Sequence, residues 1–331
     1  MKILFIDPVC NKPYDPQVLE TEPLGGTEAT VIRIAEALGR AGHEVMVKQH
    51  NRTSSVDGEA QYCPFGYDFP PTHVIVLRAP MVLYQARKQF PTAKLFFWAH
   101  DIFSGPGWDK GFQALVDTQA VPIVVSEWHK AQMYDAMRQV GFQGSVPSRR
   151  IYNPITDDLQ PDQNVVVNNQ KLVFFSSPHK GLERTLEVFA RFKDFDELRD
   201  MKLYIANPGY LADHNTEGLR NVVNLGALPH KDVLLHVRSS LAVFYLNRVF
   251  PETFGIVAAE SNAVGTPFLS AKIGALPEVA DHPQEFVDVS DNEAVIKRII
   301  AWKIDGRPKV LGNANFRLSR VIREWLDLLR V

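Results

Sequence analysis

Short apolar runs separated by helix-length stretches recur along this chain, and that alternation limits its fold more than any single motif does. Residues 3–6, Val45–Val47, Val74–Leu77, Leu95–Trp98 and Ile123–Val125 read as buried strands. Between the first two, Val31, Ile34, Ala35 and Leu38 fall at i, i+3, i+4 and i+7, the stripe of a helix that Thr27 caps and Gly42 ends in a left-handed turn. Strands that alternate with helices form a parallel sheet covered on both faces. The rhythm stops over 141–170, where Gly141, Gly144, Pro147, Pro154 and Pro161 interrupt it, which puts a domain junction near Asn153. It resumes with Lys171–Phe175, a helix from about Gly181 to Phe192, then Lys202–Ala206, Val222–Leu225, Leu241–Leu246, a helix over Ile256–Val264, and Pro267–Leu269.

A length of 331 residues fits two such layers. The expected domains are 1–152 and 153–331. Leu318, Val321, Ile322, Trp325 and Leu329 lie at helical spacing, so a terminal helix over 314–330 is expected to pack back on the first domain. Parallel sheets place ligands beyond the carboxyl ends of their strands. Two similar halves therefore predict a cleft between them, with a site drawn from both.

Charge excludes one class of partner. There are 36 basic and 38 acidic residues, 15 of each up to Tyr152 and 21 against 23 after it, so neither half has the basic excess of a nucleic-acid binder. The two cysteines, Cys10 and Cys63, build no disulfide framework, and no Cys/His spacing marks a zinc site. A reducing cytoplasm fits this usage. The run at residues 3–6 is too short for a signal peptide, and no 18 consecutive apolar residues occur. Trp128, Lys130, Met133, Met137 and Arg138 give the helix over Glu127–Val140 a weak interfacial pattern, ranked below a core-facing reading.

Four segments can carry chemistry. In Phe250–Pro267, Pro251 ends a strand region, Gly255 allows close backbone approach, and a helix opens with unpaired amides that attract phosphate or sugar oxygens. Glu252 precedes that helix and Glu260 lies within it, roughly 12 Å apart if the intervening chain were helical throughout, too far to share a proton. They suit two parts of one long ligand. Each could also be an ordinary helix residue, although Val257, Ala258, Ala259 and Ala263 give Glu260 a setting in which an idle carboxylate is costly. Second, Ser176-Ser177-Pro178-His179-Lys180-Gly181 follows a strand and opens a helix. Third, Trp98-Ala99-His100-Asp101 ends an apolar strand, with Asp101 placed to orient His100 or to cap the next element. Fourth, Gly25-Gly26-Thr27-Glu28 precedes the first long helix. His179, His230 and His282 have no such placement and read as surface or capping residues.

The Glu-x7-Glu spacing of Glu252 and Glu260, with Phe254-Gly255 between them, Gly265-Thr266-Pro267 after, and Gly25-Gly26-Thr27-Glu28 in the other half, resembles glycosyltransferase family 4. That resemblance implies an α/β fold of GT-B architecture, two Rossmann-like domains facing across a cleft. It implies a retaining transferase that moves a sugar from a nucleotide diphosphate sugar to a hydroxyl of a saccharide, lipid or small molecule. No cofactor or metal is implied; the nucleotide sugar is a substrate. Glu252 would contact the donor sugar and Glu260 the ribose hydroxyls, since a carboxylate accepts from a vicinal pair. Lys180 would neutralise the diphosphate, Gly25 and Gly26 would let backbone approach it, and His100 would lie near the transferred sugar. Ser177, Thr253, Phe254, Gly255 and Ile256 complete the implied donor contacts. The family's arginine five residues before the lysine is Phe175 here, so Ser176, Ser177 or a cation such as Arg248 would have to supply donors instead.

Other readings are weaker. A dinucleotide fingerprint needs its glycines directly after the first strand, but a loop with Pro8, Pro13, Pro16 and Pro23 intervenes. Asp194-Phe195-Asp196 has a metal-binding DxD form, yet beside Glu197 and Asp200 it reads as a charged helix end. No G-x-S-x-G, P-loop or H-E-x-x-H motif occurs. A nucleotide-sugar epimerase and a catalytically idle sugar-nucleotide binding module remain as alternatives. The base, sugar, acceptor and oligomeric state are left open by the sequence, and a peripheral membrane contact is weakly indicated.

Overall fold

Strands of a parallel sheet are covered on both faces, so they bury side chains in unbroken runs. In the computed structural model, which describes residues 1–207, 216 and 218–330, such strands sort into two units. One comprises Met1–Gln17, Gly26–Pro154 and the chain from Asn315 onward; the other comprises Val18–Gly25 and Ile155–Ala314. The stretch expected as a second domain includes 208–215, 217 and 331, which lie outside the described residues.

The first unit holds β1 (Lys2–Asp7), β2 (Glu44–Gln49), β3 (Val56–Asp57), β4 (Gln61–Cys63), β5 (His73–Leu77), β6 (Lys94–Trp98), β7 (Val121–Val124) and β8 (Arg149–Arg150). Their order is β3-β4-β2-β1-β5-β6-β7-β8, parallel except for the β3–β4 pair. The five buried residues of β5 and the Phe97–Trp98 end of β6 form the centre of its core. After β1, α1 (Pro16–Thr21) begins in this unit and continues into the segment Val18–Gly25 grouped with the second, and between the strands run α2 (Gly26–Arg40), α3 (Val82–Gln89), α4 (Trp108–Asp117) and α5 (Glu127–Gln139). The helix expected to follow a Thr27 cap begins at Gly26, which puts Thr27 inside its first turn. Helix α5 buries His129, Met133, Ala136 and Met137, so its sulfur-bearing face turns into the core. β3, β4 and β8 were not foreseen; two- and three-residue strands are too short to show a period.

The proline-bearing loop after β1 is pinned by polar contacts. Gln49 Nε2 donates to the Tyr14 carbonyl at 2.7 Å, Arg52 pairs with Asp15 at 2.8 Å, and the Tyr14 hydroxyl donates to Asp7 Oδ2 at 2.8 Å. Burial pushes the Asp7 carboxyl above its usual range, and the Tyr14 hydroxyl, the Val9 amide and the Arg78 charge oppose the shift.

The second unit holds β9 (Asn168–Phe175), β10 (Lys202–Asn207), β11 (Val222–Ala227), β12 (Ser240–Phe244) and β13 (Phe268–Leu269), ordered β11-β10-β9-β12-β13 and all parallel. Its helices are α6 (Leu182–Phe189), α7 (His230–Arg238), α8 (Ile256–Ala263), α9 (Leu276–Val279) and α10 (Asn292–Ile304). Asp194 ends a short 3-10 turn at Ala190–Asp194, the charged helix end expected of it. Buried Glu285 gathers donors from Asn262 Nδ2 and from the Phe268, Asp281 and His282 amides, which fastens α8 to the chain after β13.

The last helix, α11 (Leu318–Arg330), belongs to the first unit. It buries Val321, Trp325 and Leu329, residues spaced four apart on one face. Trp325 meets Trp98 edge-on at 4.7 Å and lies 6.2 Å from Phe5. Among the described residues no helix is long and apolar enough to cross a membrane.

His129, fully buried, is held neutral. Its Nδ1 accepts from the Val125 amide at 3.4 Å and its Nε2 donates to the Asp101 carbonyl at 2.9 Å, an arrangement that leaves no place for a second ring proton. Burial lowers its pKa to about 4 from 6.5. The unfolded state therefore binds the extra proton first, and stability present above pH 6.5 is lost as pH falls toward 4. The expected loss is about 3 kcal/mol by pH 4. Denaturant unfolding at several pH values, followed by tryptophan fluorescence from Trp98, Trp108, Trp128 and Trp325 of this unit, should show that slope. His129→Gln should flatten it.

Candidate active site

β9 and β12 are neighbours in the second sheet, so the loops that leave their carboxyl ends emerge side by side. The β9 loop runs through Ser176 and Ser177 to α6, and the β12 loop through Tyr245, Asn247 and Glu252 to α8. Each helix is preceded by a left-handed glycine, Gly181 at φ 92° and Gly255 at φ 92°. Neither helix start has a side-chain cap, and although the Leu182 amide is taken by the Pro178 carbonyl and the Ala258 amide by the Gly255 carbonyl, an uncapped helix start favours oxygen-rich anions.

Close packing against backbone makes Gly181 obligatory: a Cβ there would lie 2.6 Å from Asn247 Cα. At Gly255 the left-handed backbone favours glycine, and an added Cβ would meet a side-chain methyl, Leu276 Cδ2, at 2.7 Å. The Thr185 hydroxyl donates to the Gly181 carbonyl at 2.8 Å and accepts from the Leu246 amide at 3.3 Å, which ties α6 to the β12 loop. Asn247 shapes that loop: its Oδ1 accepts from the Val249 and Phe250 amides at 3.1 Å each, and its Nδ2 donates to the Phe250 carbonyl at 2.5 Å.

On this frame Lys180 and Glu252 meet. Lys180 Nζ lies 2.9 Å from each Glu252 oxygen, and the two side chains are 31% and 14% exposed. The Tyr245 hydroxyl donates to Glu252 Oε1 at 2.5 Å. Tyr245 is buried against Phe174 and Phe268, and burial, followed by the Glu252 charge, raises its hydroxyl far above the ordinary range, so it stays a donor. Behind Glu252, its carbonyl accepts from the Ala275 amide at 2.9 Å, and Gly274 at φ 61° leaves no room for a Cβ against the Glu252 backbone. Phe254 is a buried anchor, whereas Thr253 and Ile256 stay partly open at the helix start. Ser177 and Phe175 are buried, while Arg248 is exposed.

Glu260 sits deeper in α8 and is paired. Its Oε2 accepts from His230 Nε2 at 2.9 Å. His230, expected to be a surface or capping residue, is therefore part of the site. His282 does cap, its ring accepting from the Gln284 amide, and His179 lies edge-on to Phe250 at 5.2 Å. Because α8 starts only at Ile256, Glu252 stands on the approach to the helix, and the all-helical spacing does not apply.

His100 and Gly26 belong to the first unit, and Gly25 ends the segment grouped with the second. Neither glycine has positive φ, so backbone angle does not demand glycine at either position. His100 is buried against Trp98, ring centres 4.6 Å apart. Burial, with Arg78 and His129 nearby, holds it neutral well below its ordinary pKa. Asp101 does not orient it through its carboxylate, which takes Arg78 at 2.7 and 3.2 Å. The carboxyl ends of β1, β5 and β6 thus present Asp7, Arg78 and Asp101, and burial raises the Glu28 carboxyl beside them. Asp7 and Arg78 escaped sequence analysis, although each directly follows an apolar run. Among the described residues no three His, Cys, Asp or Glu side chains group as a metal site.

Residues 157–316, which include Lys180, Glu252 and Glu260, match the family model of glycosyl transferases group 1. An uncharacterised glycosyltransferase of Methanocaldococcus jannaschii is 27% identical over 164 residues, a match spanning 48% of this chain and 38% of that protein's length. Sucrose-phosphate synthase from Thermosynechococcus elongatus superimposes with a TM-score of 0.73 at 15% identity, covering 99% of this chain and 98% of the other. WaaG, a glycosyltransferase involved in lipopolysaccharide biosynthesis, does so with a TM-score of 0.64 at 15% identity, covering 98% and 99%. The fold is GT-B. Family match and fold together support a GT-B glycosyltransferase.

Gly181→Ala should destabilise the second unit by about 2 kcal/mol or more, since left-handed strain adds to a backbone clash. Gly306→Ala is the control: at φ 97° with nothing within 4 Å of its added Cβ, it should cost only about 1 kcal/mol. Denaturant titration of both variants checks the difference.

Proposed function

We propose that this chain is a retaining glycosyltransferase of family 4 that transfers a hexosyl group from a nucleotide diphosphate sugar to a hydroxyl acceptor without a metal ion. The observation that supports this reading most is the meeting of Lys180 with Glu252 between two uncapped helix starts on one sheet edge. An ammonium has three donors. Two lie on Glu252, and the third suits a phosphate oxygen at the α6 start. Glu252, held by Tyr245 and Lys180, keeps acceptor capacity for sugar hydroxyls. Glu260 takes the ribose hydroxyls.

In the proposed reaction the bond between the anomeric carbon and the diphosphate oxygen breaks, and its electrons leave with the diphosphate. Lys180 and the helix amides stabilise that charge as it develops. The acceptor oxygen bonds the anomeric carbon on the same face, and its proton passes to a diphosphate oxygen. No protein base is needed. Phe175 occupies the position of the family's second cation, so more of the stabilisation rests on Lys180 and the amides.

Lys180→Ala should lower turnover by roughly 10²–10³-fold with a smaller change in nucleotide affinity, because its contact strengthens as charge leaves the sugar. Glu260→Ala should weaken nucleoside diphosphate binding by roughly tenfold or more. The assay is release of nucleoside diphosphate in the presence of acceptors, with the anomeric configuration of the product read by proton NMR. Inversion would reject the retaining mechanism, and loss of transfer in excess chelator, restored by magnesium, would reject metal independence. Conversion of the nucleotide sugar without acceptor would instead mark an epimerase, and binding without release an idle module.

A further inference from the structure

Glu260 is a buried carboxylate, its side chain 4% exposed, on a helix whose surrounding residues are mostly small and apolar. Such a group needs fixed donors. One comes from outside its own helix. His230 is the first residue of α7, and Pro229, extended at φ −54° and ψ 144°, fixes where that helix begins. The Pro229 carbonyl accepts from the Asp232 and Val233 amides, so His230 is held at the first helical position. From there its ring, 29% exposed, reaches Glu260 Oε2 at 2.9 Å through Nε2. A carboxylate only accepts, so Nε2 carries a proton whether the imidazole is neutral or charged.

The terminal torsion of a glutamate is soft, and its carboxylate plane can swing widely. Recognition of a vicinal diol requires that plane to be fixed within about 10–20°. A hydrogen bond to one oxygen from a neighbouring helix supplies that restraint and uses one of the carboxylate's roughly four lone-pair directions. Both helices start at the carboxyl edge of the second sheet, the edge that carries Lys180 and Glu252.

We propose that His230 is a positioning residue for the nucleoside: it orients the Glu260 carboxylate toward the ribose, and thereby sets the selectivity of the site for ribonucleotides over deoxyribonucleotides. This rests on the reading of Glu260 as the ribose ligand. His230 itself touches Glu260, not the reacting atoms, so it acts on binding and leaves the chemical step to others.

The test is calorimetric titration of the full chain with ADP, GDP and UDP, and with the 2′-deoxy and 3′-deoxy analogues of whichever binds. Wild type should prefer the ribonucleotide. His230→Ala should reduce that preference roughly tenfold, mostly by weakening the ribonucleotide. His230→Gln, which keeps an N–H donor at similar reach, should restore the preference to within about threefold. His230→Asn, which keeps an amide at the helix start but stops short of Glu260, should behave like the alanine variant and stands in for it should that protein fail to fold. Unchanged preference in folded His230→Ala or His230→Asn overturns the proposal, as does equal weakening of ribo and deoxy ligands or failure of glutamine to rescue. Loss of preference in Glu260→Ala with none in His230→Ala rejects the role of His230 alone. Wild type that binds none of the three ribonucleotides overturns the glycosyltransferase reading together with this one.

Discussion

The contact between the backbone at Gly181 and the backbone at Asn247 is the constraint on which the second unit's site depends. No side chain fits there, so the α6 start and the β12 loop can approach closely enough for Lys180 and Glu252 to share two hydrogen bonds. Parallel β9 and β12 bring the loops to the same edge, and Thr185 and Asn247 then hold their shapes. Sheet topology does the coarse positioning and the glycine does the fine positioning.

The electrostatics of that edge follow from how each charge is paired. Glu252 has a cation and a phenol as donors, and both come from residues fixed by the two loops. Glu260 is more deeply buried and relies on an imidazole from another helix. In the first unit the pattern differs. Asp7 and Glu28 are pushed up by burial, Asp101 pairs with Arg78, and His100 and His129 stay neutral inside the core.

Much of the fold could be read from the sequence because buried parallel strands announce themselves as apolar runs. The strands at Ile3–Ile6, Val74–Leu77, Leu95–Trp98 and Lys171–Phe175 needed no other signal. The short β3, β4 and β8 gave none, since their pairing is decided by neighbours distant in the chain. The site divided similarly. Glu252, Glu260 and Lys180 stood out through spacing and position after strands, whereas Tyr245 was absorbed into an apolar run that read as core. His230 could not be found, because its partner lies thirty residues away and meets it only once two helices pack together. Asp101 looked like the natural partner of its neighbour His100, yet Arg78, one strand over, offered a charge and took it.

Helix α11 carries a consequence for how such a chain acquires its structure during synthesis. The indole of Trp325 fills a place between Trp98 and Phe5 in a core otherwise built from residues that leave the ribosome far earlier. Everything from Ile155 to Ala314 emerges before that plug does. The nascent first unit must therefore wait with an open seam along Phe5 and Trp98, its apolar wall awaiting cover while the second unit is already free to fold. The first unit is thus completed by a helix that leaves the ribosome only after the whole of Ile155–Ala314.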